Sequence, residues 1–227
     1  MKNLNPIKIK NILYKYCSEE WYPIINNNQV LYSIKKGDKI FAQGEKVNGI
    51  YFINDGYVKV VSLFDKNKER ILRLAGKGKL LGHRGFATSH YPISAIALTN
   101  TTVTFIPNSI FRTLIKSNPT LSIYLIDFLA GEIRESEERM KSLMYSDIKK
   151  RIAKILIKLV ESFGYDKRTP RKLAYTLSRK DFANMAGTTY ETVIRTLAHF
   201  QKRKYIKLVG KAILIVNAKE LKTISES

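Results

Sequence analysis

The chain has 227 residues, of which 44% are hydrophobic and 26% are charged, so it can form one or two domains with buried cores and is not a disordered polyelectrolyte. Its 40 Lys and Arg residues against 19 Asp and Glu residues give a formal net charge of +21, which favours a polyanionic partner, either nucleic acid or an acidic membrane surface. A general lysine-rich bias of the source proteome is the alternative. The single cysteine, Cys17, excludes a disulfide framework and a four-cysteine metal or iron–sulfur site within one chain.

The sequence contains no membrane-spanning or secretory signal. No apolar run approaches the ~18 residues of a transmembrane helix, and residues 1–6 lack the apolar core of a signal peptide. We therefore expect a cytoplasmic protein without a membrane partner. The positive charge is denser towards the C-terminus, with net +12 over residues 147–227 against +9 over residues 1–146. A polyanion is thus expected to bind the C-terminal part.

The N-terminal half predicts short helices followed by a β-barrel. Residues 7–27 place apolar side chains at helical spacing, which predicts short amphipathic helices. From about residue 29 to 107, short β-rich runs alternate with turn signals every 8–12 residues or so, as in an all-β barrel or sandwich. Asp55-Gly56 between two apolar runs is a strong hairpin signal, because glycine accepts the positive φ of such turns.

A long helix is predicted after Asn118-Pro119, since proline is favoured in the first turn of a helix. Six positions within it repeat at the 3–4 spacing of a coiled-coil seam: Ile126, Leu129, Ile133, Ser136, Met140 and Leu143. We favour a self-pairing seam, because a second stripe (Leu121, Leu125, Phe128) remains available to pack on the barrel. The alternative is that the helix packs its seam on its own barrel.

The C-terminal part predicts two helices joined by a tight turn. Ser178 and Asp181 approximate a capping box that opens the first helix, and Gly187 ends it. Thr188 or Thr189 then caps the second helix. Since a basic β-hairpin follows, the pattern predicts a winged helix-turn-helix.

The second of these helices has a buried face and an outward face suited to base recognition. Val193, Leu197 and Phe200 repeat at helical spacing and predict the buried face. Arg195 can contact guanine O6 and N7, and Glu191 can accept from a cytosine amino group. Alternatively, Glu191 is a capping-box partner of Thr188, and Arg195 is a solvated charge or a phosphate contact. The predicted base-reading residues are Thr189, Tyr190, Glu191 and Arg195. The predicted phosphate contacts are Lys149, Lys150, Arg151, Arg179, Lys180, Lys202, Arg203 and Lys204.

Four segments of the chain resemble the CRP/FNR family of transcription regulators. Residues 36–45 and 50–58 resemble the early barrel signature and the next hairpin of that family, and residues 76–95 resemble its phosphate-binding cassette. Residues 189–197 resemble its recognition helix, whose Glu and Arg read a TGA-containing half-site. The resemblance covers nearly the whole chain. It implies the family fold, a homodimer and binding to double-stranded DNA; we also expect RNA polymerase as a partner.

The chain departs from the cyclic-AMP-binding branch of the family at the residues that would hold the nucleotide. His83 follows Gly82 where that branch has a ribose-binding Glu, and Ile93-Ser94 stands where it has a phosphate-binding Arg-Ser pair. Arg84 is expected to point to the other face if the local backbone is extended. We therefore expect no cyclic-AMP binding. The predicted effector pocket, for an unknown small molecule, comprises Leu81, Gly82, His83, Arg84, Ile93 and Ser94.

The predicted fold class is α+β, with an N-terminal double-stranded β-helix barrel (cupin-like, of the cyclic-nucleotide-binding type), a long dimerisation helix and a C-terminal winged helix-turn-helix. These parts are assigned to residues 1–118, 119–146 and 147–227. The chain lacks recognisable catalytic motifs, so we expect no enzyme activity, no cofactor and no metal site. The alternative function is a cyclic-nucleotide or other small-molecule binding module whose main role is not DNA binding.

Overall fold

A computed structural model describes residues 2–4, 11–65 and 68–226. The chain divides into two compact units, Met1–Arg134 and Glu135–Ser227. After the functions expected from the sequence, we call them the sensor unit and the DNA-binding unit. The longest helix, α4 (Pro119–Tyr145), begins in the first unit and ends in the second. Among the described residues, no helix is long and apolar enough to cross a membrane.

The sensor unit is built from antiparallel strands. Its strands are β1 (Lys2–Leu4), β2 (Val30–Ile34), β3 (Lys39–Phe41), β4 (Gly49–Asp55), β5 (Val58–Asp65), β6 (Lys68–Ala75), β7 (Leu80–Leu81), β8 (Ser94–Ala97) and β9 (Thr101–Pro107). One sheet has the order β1-β2-β9-β4-β7 and the other β3-β8-β5-β6. Gly56 lies between β4 and β5 with a φ of 96°, in the left-handed region, so a tight turn does occur there. The predicted Asp55-Gly56 hairpin is wrong, however, because β4 and β5 belong to different sheets and do not pair with each other; the chain crosses from one sheet to the other at this turn. The barrel prediction is confirmed.

Aromatic rings fill much of the space between the two sheets. Phe41 stacks on Tyr91 with a centroid distance of 4.2 Å and on Tyr51 with 5.6 Å. Tyr51 in turn contacts Phe105 at 5.0 Å. These rings belong to one core cluster with buried aliphatic side chains from both sheets. The barrel interior is therefore a packed core along this row of rings, as expected where alternate side chains of facing sheets interdigitate.

Helices pack against the outer face of the five-stranded sheet, where Ile50, Phe52 and Ile106 point away from the row of rings. They are α1 (Leu13–Tyr16), α2 (Tyr22–Asn28), α3 (Asn108–Ser117) and the first turns of α4, together with a 3-10 turn at Glu19–Trp21. Short N-terminal helices are thus confirmed from residue 13 onwards, whereas residues 7–10 of the predicted segment lie outside the described residues. The stripe of Leu121, Leu125 and Phe128 packs into the core formed with α1 and α3, as predicted.

The DNA-binding unit is a three-helix core with a β-hairpin and a terminal helix. After the end of α4 come α5 (Ile148–Phe163), α6 (Arg179–Ala186), α7 (Tyr190–Lys202), β10 (Ile206–Val209), β11 (Ala212–Ile215) and α8 (Ala218–Glu226). The Asp147 carboxylate caps α5 by accepting from the Lys150 amide at 2.7 Å. Strands β10 and β11 pair as an antiparallel hairpin, the wing. The winged helix-turn-helix prediction is confirmed.

The predicted seam of α4 remains uncovered within one chain. Ile126, Ile133 and Met140 are 66%, 62% and 58% exposed, and Leu129 is also exposed. The alternative, in which these side chains pack on the barrel of their own chain, is therefore wrong. An exposed row of large apolar side chains marks a surface that a partner covers. Of the other two predicted seam residues, Ser136 is exposed and Leu143 is half-buried.

Candidate nucleic-acid interface

The geometry of the turn between α6 and α7 follows from three residues. The Ser178 hydroxyl accepts from the Asp181 amide at 3.0 Å and donates to its carboxylate at 2.7 Å, which caps the start of α6. Gly187 ends α6 with φ 59° and ψ 48°, a left-handed conformation that glycine adopts without strain. Thr189 then opens α7 by accepting from the Thr192 amide at 3.3 Å. The turn thus fixes the angle at which α7 leaves α6.

Helix α7 is amphipathic in the predicted sense. Val193, Leu197 and Phe200 are at most 1% exposed and hold the helix on its unit. The outward face carries Glu191, Arg195 and the exposed aromatic and apolar side chains of Tyr190 and Ile194. Since burial of the first set fixes the rotation of the helix, the second set must face solvent.

The four predicted base-reading residues differ in how free their side chains are. The Thr189 hydroxyl is occupied by the helix cap. Glu191 is exposed and, within the described part of the chain, its carboxylate has no hydrogen bond or ion pair. Because Thr189 and not Thr188 is the N-cap, the capping-box alternative for Glu191 is wrong. Arg195 is exposed, and its Nη2 donates only a long bond of 3.3 Å to the Thr192 hydroxyl.

The eight predicted phosphate contacts fall into two groups. The exposed ones are Lys149, Lys180, Lys202, Arg203 and Lys204. The other three are half-buried and already engaged: Nη1 of Arg151 donates to the Leu143 carbonyl at 3.4 Å, Nζ of Lys150 to the Glu226 carbonyl at 3.4 Å, and the Arg179 guanidinium lies 6.0 Å from the centre of the Phe182 ring. The five exposed side chains are therefore the better candidates for contacts with phosphates, because they are free to move towards them.

Two exposed residues of this surface were not among the predicted contacts. Lys211 is exposed in the turn of the wing, directly after Gly210. Ile194 is 44% exposed on α7 between Glu191 and Arg195 in sequence. Both residues could have been predicted from the sequence. Lys211 stands beside a glycine typical of hairpin turns, and Ile194 lies outside the repeat of buried positions in α7.

The structure places the six predicted effector-pocket residues in the barrel core and in the turn that follows β7. Leu81 and Ile93 are buried in the barrel core. The Ser94 hydroxyl is fully buried and accepts from the Gln43 amide at 2.8 Å, so it is occupied by the backbone of the chain itself. Gly82 adopts φ 86° and starts a 3-10 turn, His83–Gly85. Leu81, Ile93 and Ser94 therefore stabilise the barrel and offer no free polar group to a nucleotide.

The expectation that Arg84 points away from His83 is wrong. It assumed an extended backbone, but the left-handed Gly82 and the 3-10 turn after it bring both side chains to the same carboxylate, Glu132 of α4. Burial lowers the pKa of His83, which favours its neutral form. Burial alone would raise the pKa of Glu132, but the contact with His83 and the charges of Arg73 and Arg84 outweigh it and hold that pKa at about 2.

These features define a class of protein. Helix α7 is held to its unit by its apolar face, exposes a carboxylate and a guanidinium on the other face, and has basic residues at its end. This is the arrangement of the recognition helix in a winged helix-turn-helix DNA-binding protein. In this chain that element follows a β-barrel sensor unit and a long helix with an exposed apolar stripe.

Comparison with known proteins assigns the family. Residues 31–118 match the cyclic nucleotide-binding domain model and residues 150–224 the Crp-like helix-turn-helix domain model. The chain is 30% identical over 188 residues to the fumarate and nitrate reduction regulatory protein of Vibrio cholerae, covering 83% of this chain and 75% of that protein. It is 28% identical over 187 residues to the CRP-like cAMP-activated global transcriptional regulator of Mycobacterium tuberculosis, covering 82% and 84%. The FixK2 structure from Bradyrhizobium japonicum superposes with a TM-score of 0.78 at 21% identity, covering 88% of this chain and 98% of that one.

The chain belongs to the CRP/FNR family of transcription regulators, and it is a DNA-binding transcription regulator. The resemblance noted from the four sequence segments is thereby confirmed. One of the two relatives is named as activated by cAMP and the other is not, although their identities to this chain are nearly equal. Family membership therefore leaves the signal of this chain to be argued from its own residues.

Proposed function

We propose that this regulator acts as a homodimer that binds an inverted-repeat operator with TGA-type half-sites. The observation that carries the proposal is the pair of exposed, oppositely charged side chains on α7, Glu191 and Arg195, of which Arg195 makes only one long bond, to the Thr192 hydroxyl. They are four residues apart, so they lie one above the other on one helix face. Arg195 would contact a guanine on one strand and Glu191 a cytosine amino group on the other, which fits a TGA-type core.

The exposed stripe on α4 supports the homodimer. Its apolar members, Ile126, Leu129, Ile133 and Met140, form a seam about 20 Å long at ~1.5 Å per residue. Two copies of such a seam can cover each other in a coiled coil, and the exposed Ser136 would be its one polar layer. A twofold dimer presents two copies of α7, so half-sites should lie about one helical turn, ~34 Å, apart.

Five further assignments complete the proposal. The exposed lysines and arginines of the DNA-binding unit would position the protein on phosphates, while Tyr190 and Thr189 set a flanking base. RNA polymerase is the proposed protein partner, and the cytoplasm, where the DNA is, the proposed location. We propose no enzymatic activity, because the chain's relatives are transcription regulators and the exposed polar groups described above suit binding rather than bond cleavage.

The salt dependence of DNA binding tests this surface directly. Lys202 is exposed at the end of α7, and we assign it to a phosphate. Lys202→Ala should weaken binding to all DNA sequences alike and reduce the slope of log K against log salt by about one unit, because one fewer counterion is released. Fluorescence anisotropy from 50 to 300 mM salt gives the slope. Lys116→Ala, which removes an exposed lysine of the sensor unit, should leave it unchanged; an unaltered slope for Lys202→Ala would remove this residue from the interface.

The sensor unit should bind cyclic AMP weakly or not at all. Ile93 offers no positive charge to the phosphate, and the Ser94 hydroxyl is already bonded to the Gln43 amide. Charge-assisted bonds contribute about 1.5–3 kcal/mol each, and their loss is hard to offset in a buried anion site. Isothermal titration calorimetry of the purified protein with cyclic AMP checks this. A dissociation constant in the micromolar range would show that other residues hold the nucleotide.

A further inference from the structure

A buried carboxylate on the long helix is held by three basic side chains of the barrel. Glu132 is surrounded in sequence by exposed residues of α4, yet only 14% of its side chain is exposed. Its Oε1 lies 3.1 Å from Nε of Arg73, and its Oε2 lies 3.5 Å from Nη2 of Arg84 and 3.6 Å from Nε2 of His83. One acid thus faces two guanidinium groups and an imidazole.

Two of the basic groups, Arg73 and His83, have contacts that do not involve Glu132. Arg73 is 9% exposed; its Nη1 donates to the Leu80 carbonyl at 3.2 Å, and its guanidinium lies 5.6 Å from the centre of the Phe128 ring. The His83 ring meets the same Phe128 ring edge-on at a centroid distance of 4.9 Å. A buried arginine with this support has a fixed direction, and it requires an anion because an uncompensated buried charge is strongly unfavourable.

His83 shows that the carboxylate does not use the full capacity of the basic groups. The side chain of His83 is 8% exposed, and neither ring nitrogen has a hydrogen-bond partner among the described residues. Its 3.6 Å approach to Glu132 is an ion-pair distance, longer than a hydrogen bond. A buried imidazole that approaches a carboxylate without completing a hydrogen bond leaves polar capacity in the site, and such an unsatisfied buried group calls for an explanation.

We propose that Arg73, His83 and Arg84 form an anion-binding site of the sensor unit, and that Glu132 fills it as an internal ligand. The site accepts a compact carboxylate, and the chain supplies that carboxylate from α4 itself. The first turns of α4 are therefore attached to the barrel without an external effector. This inference concerns the sensor unit alone and does not depend on the proposed operator or on the dimer.

Chemical rescue tests the internal ligand. Glu132→Ala removes the carboxylate, leaves room for a small one, and should lower the melting temperature by roughly 5–10 °C, since one partner of a buried ion pair is lost. Sodium acetate or formate should restore much of that loss in a saturable way, when compared with sodium chloride at equal ionic strength. Trp21 is the only tryptophan of the chain and belongs to the sensor unit, so its fluorescence reports melting of this unit.

Two further variants make the result decisive. Glu137→Ala removes an exposed acid of the same helix and should melt like wild type, with no specific response to acetate. Glu132→Gln keeps the shape of the side chain and loses its charge, so it should be destabilised but not rescued, because no space is opened. The proposal fails if Glu132→Ala melts like wild type, or if acetate stabilises Glu137→Ala and Glu132→Ala equally.

Discussion

Arg195→Ala is expected to weaken operator binding by about 1–3 kcal/mol per half-site and to relax the preference at one base pair of each half-site. With two half-sites the loss is roughly 2–6 kcal/mol, or about 30-fold to 10⁴-fold in affinity, at ~1.4 kcal/mol for each factor of ten. The reason is geometric: an exposed guanidinium on the outward face of α7 can form two parallel bonds to one guanine, and alanine forms none.

A neighbouring arginine provides the matched control for this prediction. Arg203, directly after α7, is exposed and assigned to a phosphate, so Arg203→Ala should weaken binding to all sequences by a similar factor. Anisotropy titrations with the preferred site and with variants at each base pair separate the two effects. If Arg195→Ala loses affinity equally on every sequence, Arg195 contacts the backbone and the assignment of α7 residues to bases must be revised.

Ile133→Lys is expected to convert the dimer into monomers. In the proposed seam the new ammonium group is buried without a partner in both chains of a dimer, and such a charge costs about 3–5 kcal/mol. If only one of the two introduced lysines costs this full amount, the association constant of the dimer falls by roughly 10²-fold to more than 10³-fold. Operator affinity should fall with it, because a monomer contacts one half-site at a time.

Light scattering combined with size exclusion measures the mass of the Ile133→Lys variant directly. Glu138 is also exposed on α4 but faces away from the seam, five residues or ~140° further along the helix. Glu138→Lys therefore places a lysine on the same helix and should leave the dimer intact. A dimeric Ile133→Lys protein would show that the exposed stripe of α4 is not the pairing surface.

Features that depend on local residue type or on a periodic pattern could be predicted from the sequence. The left-handed turn at Gly56, the Ser178 cap and the buried face of α7 follow from residue type and spacing, and the structure has all three. The exposed stripe of α4 was also visible as a 3–4 repeat. Such features depend on neighbours within about two helical turns, which a single sequence displays.

The chemistry around Glu132 could not be predicted in the same way. Arg73, His83 and Glu132 are far apart in sequence and meet only because the barrel and α4 pack together. The direction of Arg84 depended on the backbone at Gly82, where a 3-10 turn replaces the assumed extended strand. Likewise, the occupation of the Ser94 hydroxyl by the Gln43 amide requires knowledge of the tertiary fold.

Selection of binding sites from random DNA by the wild-type protein is the most direct test of the central claim, that a twofold dimer reads bases with α7. We expect enrichment of an inverted repeat whose TGA-type half-sites lie about one helical turn apart, and a changed consensus when the selection is repeated with Arg195→Ala. Enrichment of no inverted repeat by the wild-type protein, or the same consensus from both proteins, would contradict it.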